Sequence, residues 1–357
     1  MKRLSGIFLL VTLFVSPLFS FPLLQTEIGA LGMGSVGAAL SVSSALYANP
    51  ALLFIKEEDG SFFTLSGSYS DQVKPSNFSS ALANPLLENP FSNLSVSFRG
   101  SNVALTIQNQ VSLNDRSEGS GSTSYRGLTH TLFQLDWATG RAPFSFGLNV
   151  RALAVSERNP VEIRSSHVVA DYFVMTSLSK YETVESKASI TVGIGLLLDY
   201  DWFKMGITSD SFAFANGSDP LAISADRIYN TLDWGFSFST PTYDRNNFLH
   251  LLKLQAAMDL VNIGSVDDRE IRLGFDLKLQ LLPTWSVSIK SGYRETKEQP
   301  GDYLKFNFSN GIHTLGLAFR FDAFTVDLAS SIPTQWYLGT ADDDSSVEVM
   351  VALSFTL

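Results

Sequence analysis

From Ile271 to Leu281 every odd position is aliphatic or aromatic: Ile271, Leu273, Phe275, Leu277, Leu279, Leu281. The even positions between them are Arg272, Gly274, Asp276, Lys278 and Gln280. An uninterrupted period of two belongs to a strand with unlike faces and cannot be wrapped onto an amphipathic helix. The C-terminal stretch repeats it, with Val347, Val349, Val351, Leu353, Phe355 and Leu357 set against Glu348, Met350, Ala352, Ser354 and Thr356. Between 190 and 200, Ile190, Val192, Ile194, Leu196, Leu198 and Tyr200 share one face, and Ser189, Thr191, Gly193, Gly195 and Asp199 the other, with Leu197 the exception. His313 to Phe321 alternates in the same way.

The same reading along the chain predicts strands at 61–70, 92–98, 103–111, 128–137, 144–155, 187–200, 202–211, 231–240, 248–261, 269–281, 285–294, 310–321, 324–331 and 347–357. Strands of soluble sheets run to about 5–6 residues, and a tilted membrane strand needs about 9–11. The lengths, with charge confined to one face, favour an all-β transmembrane antiparallel barrel of about 14 strands over a soluble sandwich. The intervening segments alternate long and short. Long ones fall at 71–91, 112–127, 156–186, 212–230, 262–268, 295–309 and 332–346. Residues 166–178 carry enough pattern for an extra strand pair and are counted with their loop. Barrels of this kind have long external loops and short periplasmic turns, so both termini are expected in the periplasm of an outer-membrane protein. Trp137, Trp202, Trp234, Trp285 and Trp336 fall near strand ends, where interfacial aromatic girdles sit.

The first twenty residues have another layout. Lys2 and Arg3 precede an apolar run from Ile7 to Phe14, Pro17 breaks it, and Ser20 supplies a small residue for cleavage. This is the form of a secretory signal peptide, 1–20. Removal of Lys2 and Arg3 takes the net charge from −10 to −12. Beyond it no window holds 18 apolar residues, so no transmembrane helix is expected. The acidic balance and lack of a basic stretch argue against nucleic acid as a partner. The absence of cysteine excludes a disulfide scaffold, a thiolate metal site and a cysteine nucleophile.

Residues 21–60 hold no good strand and form the expected inner segment of the barrel, a hatch, ahead of a barrel at 61–357. Gly29, Gly32, Gly34 and Gly37 lead into small residues up to Ala45, and Ser35 to Tyr47 can form a short helix. Pro50 disfavours helix at Asn49, so that helix should stop before it. Gly32 to Gly37 also spells G-x-G-x-x-G, with Glu57 about 20 residues on, as a dinucleotide fingerprint asks. The required βαβ context is missing, and the glycines are read as packing positions; no cofactor is expected.

On Gly29-Ala30-Leu31-Gly32-Met33-Gly34, Ser44-Ala45-Leu46-Tyr47 and Asn49-Pro50-Ala51-Leu52-Leu53, the chain resembles the FadL family of outer-membrane long-chain fatty-acid and hydrophobic-compound transporters. It is similar also to FadL-like spirochaetal outer-membrane proteins. The resemblance covers residues 28–55. It implies a 14-stranded barrel whose N-terminal hatch carries an Asn-Pro-Ala motif. It further implies passive uptake of hydrophobic molecules, fatty acids among them. Asn49, Pro50 and Ala51 would then be the hatch element, packed through Gly32, Gly34 and Gly37. The alternative is a secretion-accessory or surface-binding barrel that presents its loops. Outer-membrane lipids and the barrel-assembly machinery are expected partners, the latter reading a terminal aromatic in many such barrels; here Phe355 stands two residues before Leu357.

Catalysis is not expected. His130, His167, His250 and His313 are scattered, no H-E-x-x-H occurs, and Ser165-Ser166-His167 lies in a predicted outer loop. Asp267-Asp268 and Asp342-Asp343-Asp344 are read as solvated acidic loops rather than Ca²⁺ sites.

Overall fold

The computed structural model describes residues 33, 37, 39, 49–54, 62–73, 91–118, 122–164, 183–216, 232–240, 252–264, 269–282, 284–296, 311–340 and 346–357. Fourteen strands follow one another: β1 Phe62–Val73, β2 Phe91–Arg99, β3 Val103–Glu118, β4 Ser122–Arg141, β5 Phe144–Arg164, β6 Thr183–Tyr200 and β7 Phe203–Asn216, then β8 Leu232–Ser239, β9 Leu252–Val261, β10 Glu270–Leu282, β11 Trp285–Thr296, β12 Ile312–Phe321, β13 Phe324–Pro333 and β14 Val347–Thr356. Each pairs antiparallel with its neighbours in the chain, and β1 pairs with β14 from Thr64↔Thr356 to Val73↔Val347. The sheet is a closed barrel, so every strand has two partners and no edge is left open.

Its two faces are inverted relative to a soluble protein. Thr106, Gln134, Asp136 and Asn149 point inward and are at most 1% exposed, whereas Phe144 is 65% and Leu353 60% exposed on the outside. Burying polar groups while exposing large apolar ones is unfavourable in water and favourable when the outside is lipid. The barrel is therefore membrane-spanning. Trp202 and Trp285 ring the end that holds the short turns, with Trp202 6.3 Å from Phe238 and Trp285 5.2 Å from Phe321. Trp234 lies towards the opposite end, and Trp336 sits in a short helix α1, Thr334–Leu338, that follows β13.

Two expectations about connections need correction. Residues 112–127 are not a long loop, because β3 continues to Glu118 and β4 begins at Ser122. The expected loop 156–186 is shortened at both ends, since β5 runs to Arg164 and β6 starts at Thr183. β3 to β6 contain 16, 20, 21 and 18 residues, against the roughly 9–11 that a bilayer needs. The tight turn at Arg141↔Phe144 fixes one end of β4 and β5, so the excess projects from the other. Past the hydrocarbon the outer face no longer has to be apolar. The backbone ladder continues there, from Thr129↔Ser156 to Ser122↔Arg164, and the alternation that reveals a strand disappears.

Candidate functional site

Inside the barrel, at the end holding the short turns, lies a single compact turn from the N-terminal segment. Pro50–Phe54 form a 3-10 helix whose first four residues are buried. Asn49, fully buried, is its cap: its side-chain Oδ1 accepts from the Ala51 N–H at 3.0 Å, and its carbonyl accepts from the Leu52 N–H at 3.1 Å. Asn is a preferred capping residue, and Pro50 fits the first helical position, where its missing N–H costs nothing.

The cap uses only the acceptor of the amide. The Nδ2 group is left to donate, and it reaches the carbonyls of Leu196 at 3.1 Å and Ile207 at 3.4 Å. Those two residues face each other across β6 and β7. One side chain thus closes its own turn and fastens that turn to the wall. Asp could cap equally well but could not donate.

The wall is recessed to receive it. Gly147 on β5 and Gly195 on β6 are direct register partners. A Cβ on Gly147 would come within 2.7 Å of the Pro50 carbonyl oxygen and overlap the Ala51 nitrogen. A Cβ on Gly195 would stand 2.9 Å from Pro50 Cδ and overlap Asn49 Oδ1. Only glycine lets the two backbones approach so closely. Around this notch Ser145 Oγ donates to the Ala51 carbonyl at 3.1 Å, and Arg99 Nη2 to the Leu53 carbonyl at 3.3 Å. Ala51, Leu52 and Leu53 pack on Ala104, Ala138 and Leu197, with Phe54 against the same cluster. The turn therefore touches β2, β3, β4, β5 and β6.

Asn49, Pro50 and Ala51 are brought together in this turn. Gly37 lies elsewhere, its N–H donating to Asp259 Oδ2 on β9 at 2.5 Å, while Ser237 Oγ on β8 donates to the Ala39 carbonyl at 3.1 Å. Gly32, Gly34, the signal peptide, the expected helix at 35–47, Ser165-Ser166-His167 and both acidic loop clusters lie largely or wholly outside the described residues.

The rest of the lumen wall is polar. Gln134 Nε2 donates to both oxygens of Asp136 at 2.9 Å and its Oε1 accepts from Arg151 Nε at 2.9 Å. Across the barrel Lys290 Nζ lies 3.4 Å from Asp327 Oδ1, and Asp276 is the register partner of Lys290. Sequence reasoning missed Gly147, Gly195, Ser145 and Arg99. Gly195 stood on the small face of its strand, but nothing local marked it as a contact.

The fold and this turn define a class: a membrane-spanning 14-strand barrel holding part of its own N-terminal segment in the lumen. No family model matches the chain, and no curated protein matches it by sequence. Among solved structures it is similar to the TodX monoaromatic hydrocarbon channel deltaS2S3 mutant, with a TM-score of 0.54 and 12% identity, over 95% of this chain and 99% of that one. It is similar likewise to the Pseudomonas putida toluene transporter TodX, with a TM-score of 0.50 and 13% identity, over 94% and 98%. A Pseudomonas aeruginosa FadL homologue aligns at a TM-score of 0.48 and 12% identity, over 94% and 99%. At such identities the likeness to TodX is one of fold, and the 14-strand barrel implied by the resemblance of residues 28–55 is the barrel observed.

Proposed function

We propose that this protein is an outer-membrane channel for passive uptake of hydrophobic molecules, with residues 21–60 as a hatch, 61–357 as the barrel and both termini in the periplasm. The observation that carries the reading is the inner turn fastened in the Gly147–Gly195 notch. It is held by packing and by separate hydrogen bonds, each worth about 1 kcal/mol, while the wall closes on itself through an unbroken ladder. A turn held by weak bonds inside a rigid wall can yield when a ligand competes for its seat, and otherwise obstructs water and ions. Apolar solutes need such a route because the polar sugar layer of an outer membrane retards them. The fold neighbours described as a toluene transporter and a monoaromatic hydrocarbon channel support an apolar cargo, and the resemblance to FadL proteins supports long-chain fatty acids.

The test is uptake into proteoliposomes of labelled oleate and, separately, labelled toluene. Entry of oleate above protein-free vesicles, abolished by a cross-link holding the inner turn to the wall, is the expected result. Entry of neither sinks the channel reading. Entry of toluene alone moves the cargo from fatty acids to small aromatics. A second reading, a surface platform without transport, draws on the four long strands β3 to β6 projecting past the bilayer. It predicts no uptake and a stable complex with a large protein partner.

A further inference from the structure

The wall segment that holds the inner turn carries a second feature on its opposite, lipid-facing side. Register places Arg141, Phe144, Leu198 and Met205 in one row across β4 to β7, and Thr139, Phe146, Leu196 and Ile207 in the next. These rows line an outward-facing groove of about 720 Å³. That volume is within the roughly 300–1,000 Å³ of clefts that hold discrete ligands. Its floor is aliphatic and aromatic. Its polar rim is formed by Thr139 and Arg141, both exposed and both at the turn end of β4. The Arg141 guanidinium makes no ion pair with any described residue. Beside the groove the Trp137 ring stands edge-on to Phe146 at 6.3 Å.

An apolar trough running along the membrane with one unpaired cation at its interfacial end has the complement of an anionic phospholipid. We infer that this groove is a phospholipid site for the leaflet on the side of the short turns. One acyl chain lies along Phe146, Leu196 and Ile207, and Arg141 binds the phosphate with Thr139 beside it. Arg is suited to this because its planar fork matches phosphate oxygens. The inference requires a barrel in a bilayer and is independent of what the channel carries. Leu196 and Ile207 give their side chains to the groove and their carbonyls to Asn49, so a lipid bound outside stiffens the same stretch of wall that the turn is docked on inside.

The test is native mass spectrometry of the detergent-solubilised full chain titrated with phosphatidylglycerol, with phosphatidylcholine in parallel. Wild type should retain one phosphatidylglycerol saturably and prefer it over phosphatidylcholine. Arg141→Gln should weaken retention about fivefold, the equivalent of about 1 kcal/mol per basic side chain near a lipid surface. Met205→Trp should fill the groove and remove the bound lipid. Leu353→Trp, on the far lipid face, should change nothing. Non-saturable retention, equal retention of both lipids, or unchanged retention in Arg141→Gln or Met205→Trp overturns the assignment. Loss of uptake in the oleate assay would leave this result untouched.

Discussion

Gly195→Ala separates the wall from the turn. For the strand alone the change is mild, because glycine inside a strand costs about 0.5–1 kcal/mol relative to alanine. For the turn it is severe. The added methyl occupies the place of Asn49 Oδ1 and stands 2.9 Å from Pro50 Cδ and 3.0 Å from Asn49 Cγ. The clash is with a capped turn rather than with the end of a flexible chain, so the turn must leave. It then loses at least the bonds from Asn49 Nδ2 to Leu196 and Ile207 and the bond from Ser145 Oγ to Ala51. At about 1 kcal/mol each, with the 3.4 Å bond discounted, the loss is about 2–3 kcal/mol. That is a shift of roughly 30- to 150-fold in the seated population.

Two assays follow this shift. In planar bilayers wild type should conduct weakly, and Gly195→Ala should conduct more or flicker. In a chain that lacks native cysteine, Ala51→Cys should react slowly with a soluble thiol reagent, and the added Gly195→Ala should speed the reaction by a similar factor. Gly67→Ala is the control, since its Cβ would meet Leu94 Cδ1 at an ordinary 3.7 Å on the lipid face. Asn49→Asp refines the result, because it keeps the cap and removes the donor, and should release the turn with less loss than Gly195→Ala. The heat-modified gel shift of the barrel should persist in all of them. Unchanged conductance and unchanged Ala51→Cys reactivity in Gly195→Ala would refute the reasoning that this notch holds the turn.

Single cysteines at Ser117 and Thr340 should label on intact cells and one at Asp322 should not; the reverse pattern inverts the proposed orientation. A double-mutant cycle on Arg126 and Glu157 should give only about 0.2–1 kcal/mol despite bonds of 2.8 and 2.9 Å, because Arg126 is 45% exposed and water screens the pair. Asp327→Ala should lower the denaturant midpoint by the equivalent of about 1–3 kcal/mol, since it strips a partner from Lys290, which is only 8% exposed. A loss below 0.5 kcal/mol, about a third of the tenfold unit of equilibrium, would show that Asp276 alone suffices for Lys290.

The barrel was legible where lipid imposes a rule. Ile271 to Leu281 must put every apolar side chain outward, and the alternation there marks nearly the whole of β10, Glu270–Leu282. The same rule lapses beyond the bilayer, which is why 112–127 reads as a loop yet pairs as β3 and β4. The turn was legible for a different reason. Asn49-Pro50-Ala51 is local chemistry: Pro sets the first helical residue, and Asn caps the turn with a donor to spare. Its seat has no local signature. Gly147 and Gly195 lie far apart in the chain and become neighbours only when β5 and β6 pair in the register that sets Phe144 opposite Leu198. In its own strand each glycine reads as one more small residue of the lumen face. What makes them a site is a shape matched to a segment that enters from before the first strand. Strand propensity would favour alanine at both positions, so the two glycines make sense only in terms of the turn they accommodate.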